Sequence, residues 1–165
     1  MTPIFVYTNY PTAELFINGK SYGKQSKNNS SLKNRYRLMW MDAVYEPGEV
    51  KVVAYNKDGK AVAEKVVRTA GKPHHIELVS NRNELTADGK DLAYVTVKVV
   101  DKDGNLCPTD NRQINFSAKG AGKYRAAANG DPTNLEQFHL PKMHAFNRML
   151  TAIIQAGETA GEIVF

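Results

Sequence analysis

Asp101-x-Asp103-x-Asn105 has the opening spacing of a calcium-binding loop, in which alternate side-chain oxygens converge on a hard cation. A helix–loop–helix calcium site closes with a bidentate Glu at its twelfth position, and here that position is Arg112, a cation. Asp103-Gly104 between two strand-like segments reads instead as a hairpin turn, a device that Asn56-Lys57-Asp58-Gly59 repeats earlier in the chain. His74-His75 follow Pro73 and lead into a strand, where adjacent side chains point to opposite faces, so the pair is not set to chelate one metal. His139 and His144 stand five apart across Pro141 with no Cys nearby. Cys107 is the single cysteine, which excludes an intrachain disulfide and a thiolate zinc site. Neither Leu106 nor Pro108 supplies a cation that would activate its thiol. The expectation is that the chain holds no metal and no cofactor.

Catalysis finds as little support. There is no Gly-x-Ser-x-Gly elbow and no Ser, His and acid that the pattern of strands would bring together. A glycosidase needs two carboxyl groups about 5–9.5 Å apart in a cleft. Most acids here sit in turns, as Asp58, Asp88, Asp101 and Asp103 do. Asp131 and Glu136 form the one pair in an irregular stretch, and they suit loop-organising hydrogen bonds of the Asx-turn kind. No catalytic residue is expected.

Sugar binding on a β-sandwich asks for aromatic rings beside polar side chains. Tyr7, Tyr10, Tyr22, Tyr36, Trp40, Tyr45 and Tyr55 give the first 71 residues seven polar-tipped aromatics. Tyr10, Tyr22 and Trp40 are the carbohydrate-binding candidates, the two tyrosines because they lie near turns. Trp40 and Tyr36 share a strand face with Leu38, which suits a core more than a platform.

The net charge of +5 is unevenly placed. Residues 1–71 carry 11 Lys/Arg against 6 Asp/Glu, a net of +5, whereas residues 72–165 carry 11 against 11. Lys20, Lys24, Lys27, Lys33, Arg35 and Arg37 follow one another with no acid between them. Clustered cations of this kind can neutralise phosphates. No recognition helix, zinc-ligand set or stacking motif accompanies them, so they read as a solvated strand face and loop with no nucleic-acid partner.

The elements that must position these residues are strands. Ile4 to Thr8 is β-branched and aromatic; Ala13, Leu15 and Ile17 alternate with Glu14, Phe16 and Asn18 before Asn18-Gly19, a pair suited to the positive φ of a tight hairpin. Residues 25–34 are polar and read as a loop, and Arg35 to Met41 alternates as a half-buried strand. Val50–Tyr55 and Ala61–Arg68 make a second hairpin. Thr69-Ala70-Gly71-Lys72-Pro73 is a Gly/Pro break, which sets the expected domains at 1–71 and 72–165. Beyond it Ile76 and Leu78 begin a new pattern, and Ala93, Val95, Val97 and Val99 alternate with Tyr94, Thr96, Lys98 and Val100. Short strands follow at Ile114–Ala118, Tyr124–Ala128, Met149–Gln155 and Gly161–Phe165. Thr133–Phe146 is the one stretch that could hold a helical turn. Regular short strands without long helices predict an all-β fold of two tandem immunoglobulin-like antiparallel β-sandwiches.

The composition agrees: 42% hydrophobic and 24% charged, with no run near the ~18 apolar residues of a membrane-spanning helix. At 165 residues the chain is shorter than a (β/α)₈ barrel of ~200–250 residues. The N-terminus runs directly into a strand pattern, with no basic and apolar targeting segment.

Val6-Tyr7-Thr8-Asn9, Ala13 to Ser21, Arg37-Leu38-Met39-Trp40 and Tyr45 to Tyr55 together resemble the immunoglobulin-like domain that follows the catalytic barrel in Bacteroidetes-type β-galactosidases of glycoside hydrolase family 2. Leu85-Thr86-Ala87-Asp88-Gly89, Tyr94 to Val97, Val100 to Asn105 and Asn129-Gly130-Asp131-Pro132-Thr133 resemble the last, invasin-type domain of the same enzymes. The resemblance covers essentially the whole chain. It implies a fragment that starts within the first strands of the earlier domain and ends near the natural terminus. It also implies a non-catalytic accessory region that supports or spaces a barrel, with that barrel as partner and a periplasmic, secreted or cell-surface location. A carbohydrate-binding module, with glycans as partners, and an immunoglobulin-like adhesion array are the alternatives.

Overall fold

Asn18 and Gly19 both take positive φ, 48° and 80°. They form the turn between β2 (Thr12–Ile17) and β3 (Lys20–Ser26), with Ile17 opposite Lys20. Positive φ at both central residues gives the turn a twist that matches the strands it joins. The computed structural model, which describes residues 1–165, divides into two units, Met1–Thr69 and Ala70–Phe165.

The first unit contains β1 (Ile4–Val6), β2, β3, a short helix α1 (Leu32–Tyr36), β4 (Leu38–Trp40), β5 (Glu49–Tyr55) and β6 (Ala61–Arg68). Its main sheet has the order β3-β2-β5-β6, antiparallel throughout. A separate antiparallel ribbon pairs β1 with β4, placing Ile4 opposite Trp40 and Val6 opposite Leu38. Side chains of a strand alternate between faces, so the ribbon turns Ile4, Val6, Leu38 and Trp40 toward the core. There they meet Ala13, Leu15 and Ile17 of β2, with Tyr22, Val50 and Val52 packed around them.

The period-two reading of Arg35–Met41 as one strand holds only from Leu38 onward. Leu32–Tyr36 is instead a single helical turn, capped by Ser31, whose Oγ accepts from the Asn34 amide at 3.2 Å. Tyr36 therefore leaves the face it would have shared with Leu38 and is 61% exposed.

The second unit comprises β7 (His75–Ser80), β8 (Leu92–Val100), β9 (Gln113–Asn115), β10 (Lys119–Gly120), β11 (Gly122–Ala128), β12 (Lys142–His144), β13 (Met149–Ala156) and β14 (Ile163–Val164). Its main sheet runs β11-β13-β8-β7, and β9–β12 and β10–β14 are two-stranded antiparallel ribbons. Val97 and Val99 of β8, Leu150 and Ala152 of β13 and Ala127 of β11 pack with Ile114 and Met143, one from each strand of the β9–β12 ribbon. No helix forms within Thr133–Phe146, the one stretch of the second unit with room for a helical turn. The side-chain oxygens of Asn129, Asp131 and Asn134 each accept from the amide two residues on, at 2.8–3.0 Å. Such local bonds give the backbone an alternative to the helix.

The units divide between Thr69 and Ala70, two residues before the break expected at 71/72. The Thr69 amide donates to the Gly48 carbonyl in the first unit, while the Gly71 amide donates to Asp101 Oδ2 at 2.8 Å in the second. Asp101 is the one buried charged residue, 3% exposed. It also accepts from the amides of Asp103 and Asn105 and from Asn105 Nδ2. The Gly71 amide above all holds its carboxyl far below the usual value, against the upward push of burial, and Asn105 and Asp103 add to the effect. Its oxygens are thus taken up by turn donors, and Asp103 points away to the Lys102 ammonium at 2.9 Å. This is the geometry of a hairpin turn.

A carboxyl with a depressed folded-state pKa contributes stability above its ordinary range, and that contribution fades as pH falls. Asp101→Asn should therefore lower the thermal midpoint at neutral pH, and the gap to the parent protein should narrow below about pH 4. Calorimetry across that range tests this; a gap independent of pH would show that the charge is not responsible.

Candidate functional site

Trp40 cannot serve as a sugar platform. It is 1% exposed in the first core, and its Nε1 donates to the Gly23 carbonyl at 3.2 Å, which satisfies the indole's one polar atom. A ring buried on both faces has none to offer a pyranose. Tyr22 is half-buried and packs against the same core, with the Lys20 ammonium 5.8 Å from its ring centre. Tyr10 is half-buried in the segment before β2, where its amide donates to Thr8 Oγ1. Tyr22 and Trp40 thus meet in one core rather than on one surface.

The exposed aromatic surface lies on the other side of the β1–β4 ribbon. Because Ile4, Val6, Leu38 and Trp40 face inward, Phe5 and Arg37 face outward, and Tyr7 continues the strand beside them. Phe5 is 44% and Tyr7 69% exposed. The Arg37 guanidinium carbon lies 5.1 Å from the Phe5 ring centre, and Arg37 Nη1 donates to Tyr7 Oη at 3.4 Å. At the end of α1 the Arg35 guanidinium sits 6.0 Å from the Tyr36 ring centre. None of the helix residues is buried. Lys33, Arg35 and Arg37 form no ion pair, although other cations of the unit do: Arg68 with Glu49 at 2.7 Å and Lys24 with Glu14 at 3.9 Å. Sequence reasoning registered Tyr7 and the basic run separately and did not single out Phe5. The strand pairing Phe5–Met39 joins them into one face.

The acid pair lies elsewhere and is built into loops. Asp131 Oδ1 accepts from the Thr133 amide and hydroxyl, at 2.8 and 2.7 Å. Glu136 accepts from the His144 amide at 3.1 Å and pairs with His144 Nδ1 at 3.0 Å. Both line an open depression of about 460 Å³ together with Asn129, Thr133 and Phe146. Partial burial pushes the Glu136 carboxyl up, but the hydrogen bonds and charge of His144 outweigh it, so the net displacement is downward. A general acid needs the opposite displacement. Cys107 is buried, and burial first, then the charge of Asp101, pushes its thiol up, away from the reactive thiolate. His74 and His75 contact each other edge to face with ring centres 5.4 Å apart.

Fold and surface together define a class: tandem antiparallel β-sandwich units whose acids organise turns. Residues 76–165 match the family Glycoside hydrolase family 2 C-terminal domain 5, and residues 1–63 match the Domain of unknown function (DUF4982). The chain belongs to glycoside hydrolase family 2, in a C-terminal portion of it. It is 44% identical over 149 residues to Beta-galactosidase BoGH2A of Bacteroides ovatus, covering 90% of this chain and 17% of the relative. It is 26% identical over 158 residues to a Beta-glucuronidase of Formosa agariphila, covering 93% of this chain and 16% of the relative. The crystal structure of a beta-glycosidase from Bacteroides vulgatus superposes with a TM-score of 0.90 at 27% identity, over 98% of this chain and 20% of that one. The chain therefore spans about a fifth or less of the relatives it matches.

Trp40 is the single tryptophan, so its fluorescence reports the first core alone. Its emission should be that of an apolar site and resist quenching by acrylamide, and added galactose or galactan should leave it unchanged. Trp40→Ala should destabilise the first unit by about 3–5 kcal/mol, as loss of a fully buried large aromatic does. Ready quenching in the folded protein would contradict the burial.

Proposed function

We propose that this chain is a non-catalytic accessory region of a β-galactosidase-type glycoside hydrolase, and that its two sandwiches support or space the catalytic barrel of the parent protein. The observation that carries this reading is the match of residues 76–165 to a C-terminal family 2 domain in a chain that spans about a fifth of its relatives. The engagement of the acid pair supports it, since Asp131 and Glu136 are taken up in accepting the Thr133 and His144 amides of their own loops. On this reading the principal partner is the barrel. The location is that of glycan-degrading surface enzymes, in the periplasm or outside the cell. The β-galactosidase assignment follows the relative with 44% identity, which carries that name.

The purified 165-residue chain should not turn over a chromogenic β-galactoside. Turnover that disappears in Glu136→Gln would overturn the non-catalytic reading.

A further inference from the structure

The outward face of the β1–β4 ribbon has the composition of a ligand platform rather than of a solvated strand. Phe5 and Tyr7 expose their rings there, and Tyr36 exposes its own at the end of α1. Arg37 lies against the first ring and is hydrogen-bonded to the second, and Arg35 stands by the third. A solvated strand face gains nothing from exposing aromatic carbon, which costs free energy in water. With no carboxylate partner, Arg37 keeps the N–H groups that it does not give to Tyr7 free for an anion from outside. The ribbon is also held from behind: Phe5 lies between Ile4 and Val6, which pack on the core, and Arg37 precedes Leu38, which with Trp40 is buried in it at 2% and 1% exposure. Preorganisation of this kind removes part of the entropy cost of binding.

We infer that this face binds an acidic polysaccharide, with a pyranose ring stacked on Tyr7 and its carboxylate paired with Arg37, which Phe5 holds in place from below. The aromatic face matches the C–H surface of a sugar ring, and the planar guanidinium matches a carboxylate in two-point hydrogen bonding. The excess of cations selects an anionic over a neutral chain, since all of the net charge of +5 belongs to this unit and Lys33 and Arg35 extend the positive field along the approach. Glycan is preferred to nucleic acid on the strength of the accessory-region reading above, on which this inference rests.

The test is affinity electrophoresis and calorimetry of the 165-residue chain with polygalacturonate, neutral β-1,4-galactan and a single-stranded oligonucleotide. Polygalacturonate should bind, more weakly as salt is added, and galactan should not. Arg37→Ala should weaken binding roughly tenfold or more, as loss of a charge-assisted pair does. Tyr7→Ala should weaken it in part. Neither residue belongs to the core, so circular dichroism of the variants should be unchanged. The inference is overturned by the absence of binding to polygalacturonate, equal affinity for galactan, retention that survives Arg37→Ala, or tighter binding of the oligonucleotide. Any of these leaves the accessory-region reading intact, because that stands or falls on turnover of the galactoside.

Discussion

A four-stranded sheet has one apolar face to hide, and in the first unit a ribbon of only two three-residue strands does the hiding. Four inward side chains carry the task, Ile4, Val6, Leu38 and Trp40, and the indole is by far the largest of them. Burying a side chain of that size contributes a few kcal/mol, a large share of the net stability of so small a unit. The alternation of a strand then fixes everything on the reverse side. Once Leu38 and Trp40 are inward, Arg37 and Met39 have no choice but to be outward. The same holds for Phe5 between Ile4 and Val6. The exposed aromatic and basic face is thus the geometric complement of the core, and the position of Trp40 determines where it lies.

The second unit solves the same problem with the same parts. The β9–β12 ribbon contributes Ile114 and Met143 to a core whose other wall is the alternating series of β8 and β13. What differs is how the connections are held. Asp101 anchors its own turn and the Gly71 amide at the start of the unit, and Asn129 spans from the Asp131 amide to the His144 carbonyl. Short strands give few ladder bonds, so side-chain oxygens that satisfy loop amides take over part of the work of fixing the backbone.

Much of this was legible in the sequence wherever a pattern repeated. The alternation of Ala93 to Val99 identified both the strand and its buried face, and Asn18-Gly19 specified the turn between β2 and β3 before any coordinates. The all-β class followed from such segments. The failures share a cause, which is that short elements carry no periodicity to read. Leu32–Tyr36 makes one helical turn that depends on the Ser31 cap, a single hydrogen bond at 3.2 Å, and an alternating strand pattern continued across it. Phe5 sits in a strand of three residues, too short for its faces to be assigned until the partner strand is known. For Trp40, the core role that Leu38 suggested prevailed over the sugar-stacking one because the indole N–H found a carbonyl inside the fold.

Every carboxyl with a displaced pKa is displaced downward: Glu14 first by the Ser21 hydroxyl, Asp88 by the Lys90 amide, Asp91 by the Thr86 amide and Asp110 by the Arg112 side chain. Asp101 and Glu136 follow the same direction. Proton transfer to a leaving group requires a carboxyl held protonated near neutrality, by burial or by a second negative charge. These environments do the reverse: they stabilise the ionised form because the charge is there to accept N–H and O–H donors. An acid cannot serve both purposes at one position. The cations complete the contrast, for Lys33, Arg35 and Arg37 carry no carboxylate partner while Glu14 and Glu49 of the same unit are engaged with Lys24, Tyr55 and Arg68. The carboxyls with displaced pKa values are thus engaged by donors of the chain itself, whereas Lys33, Arg35 and Arg37 are left without a carboxylate on the ribbon and the helix that precedes it.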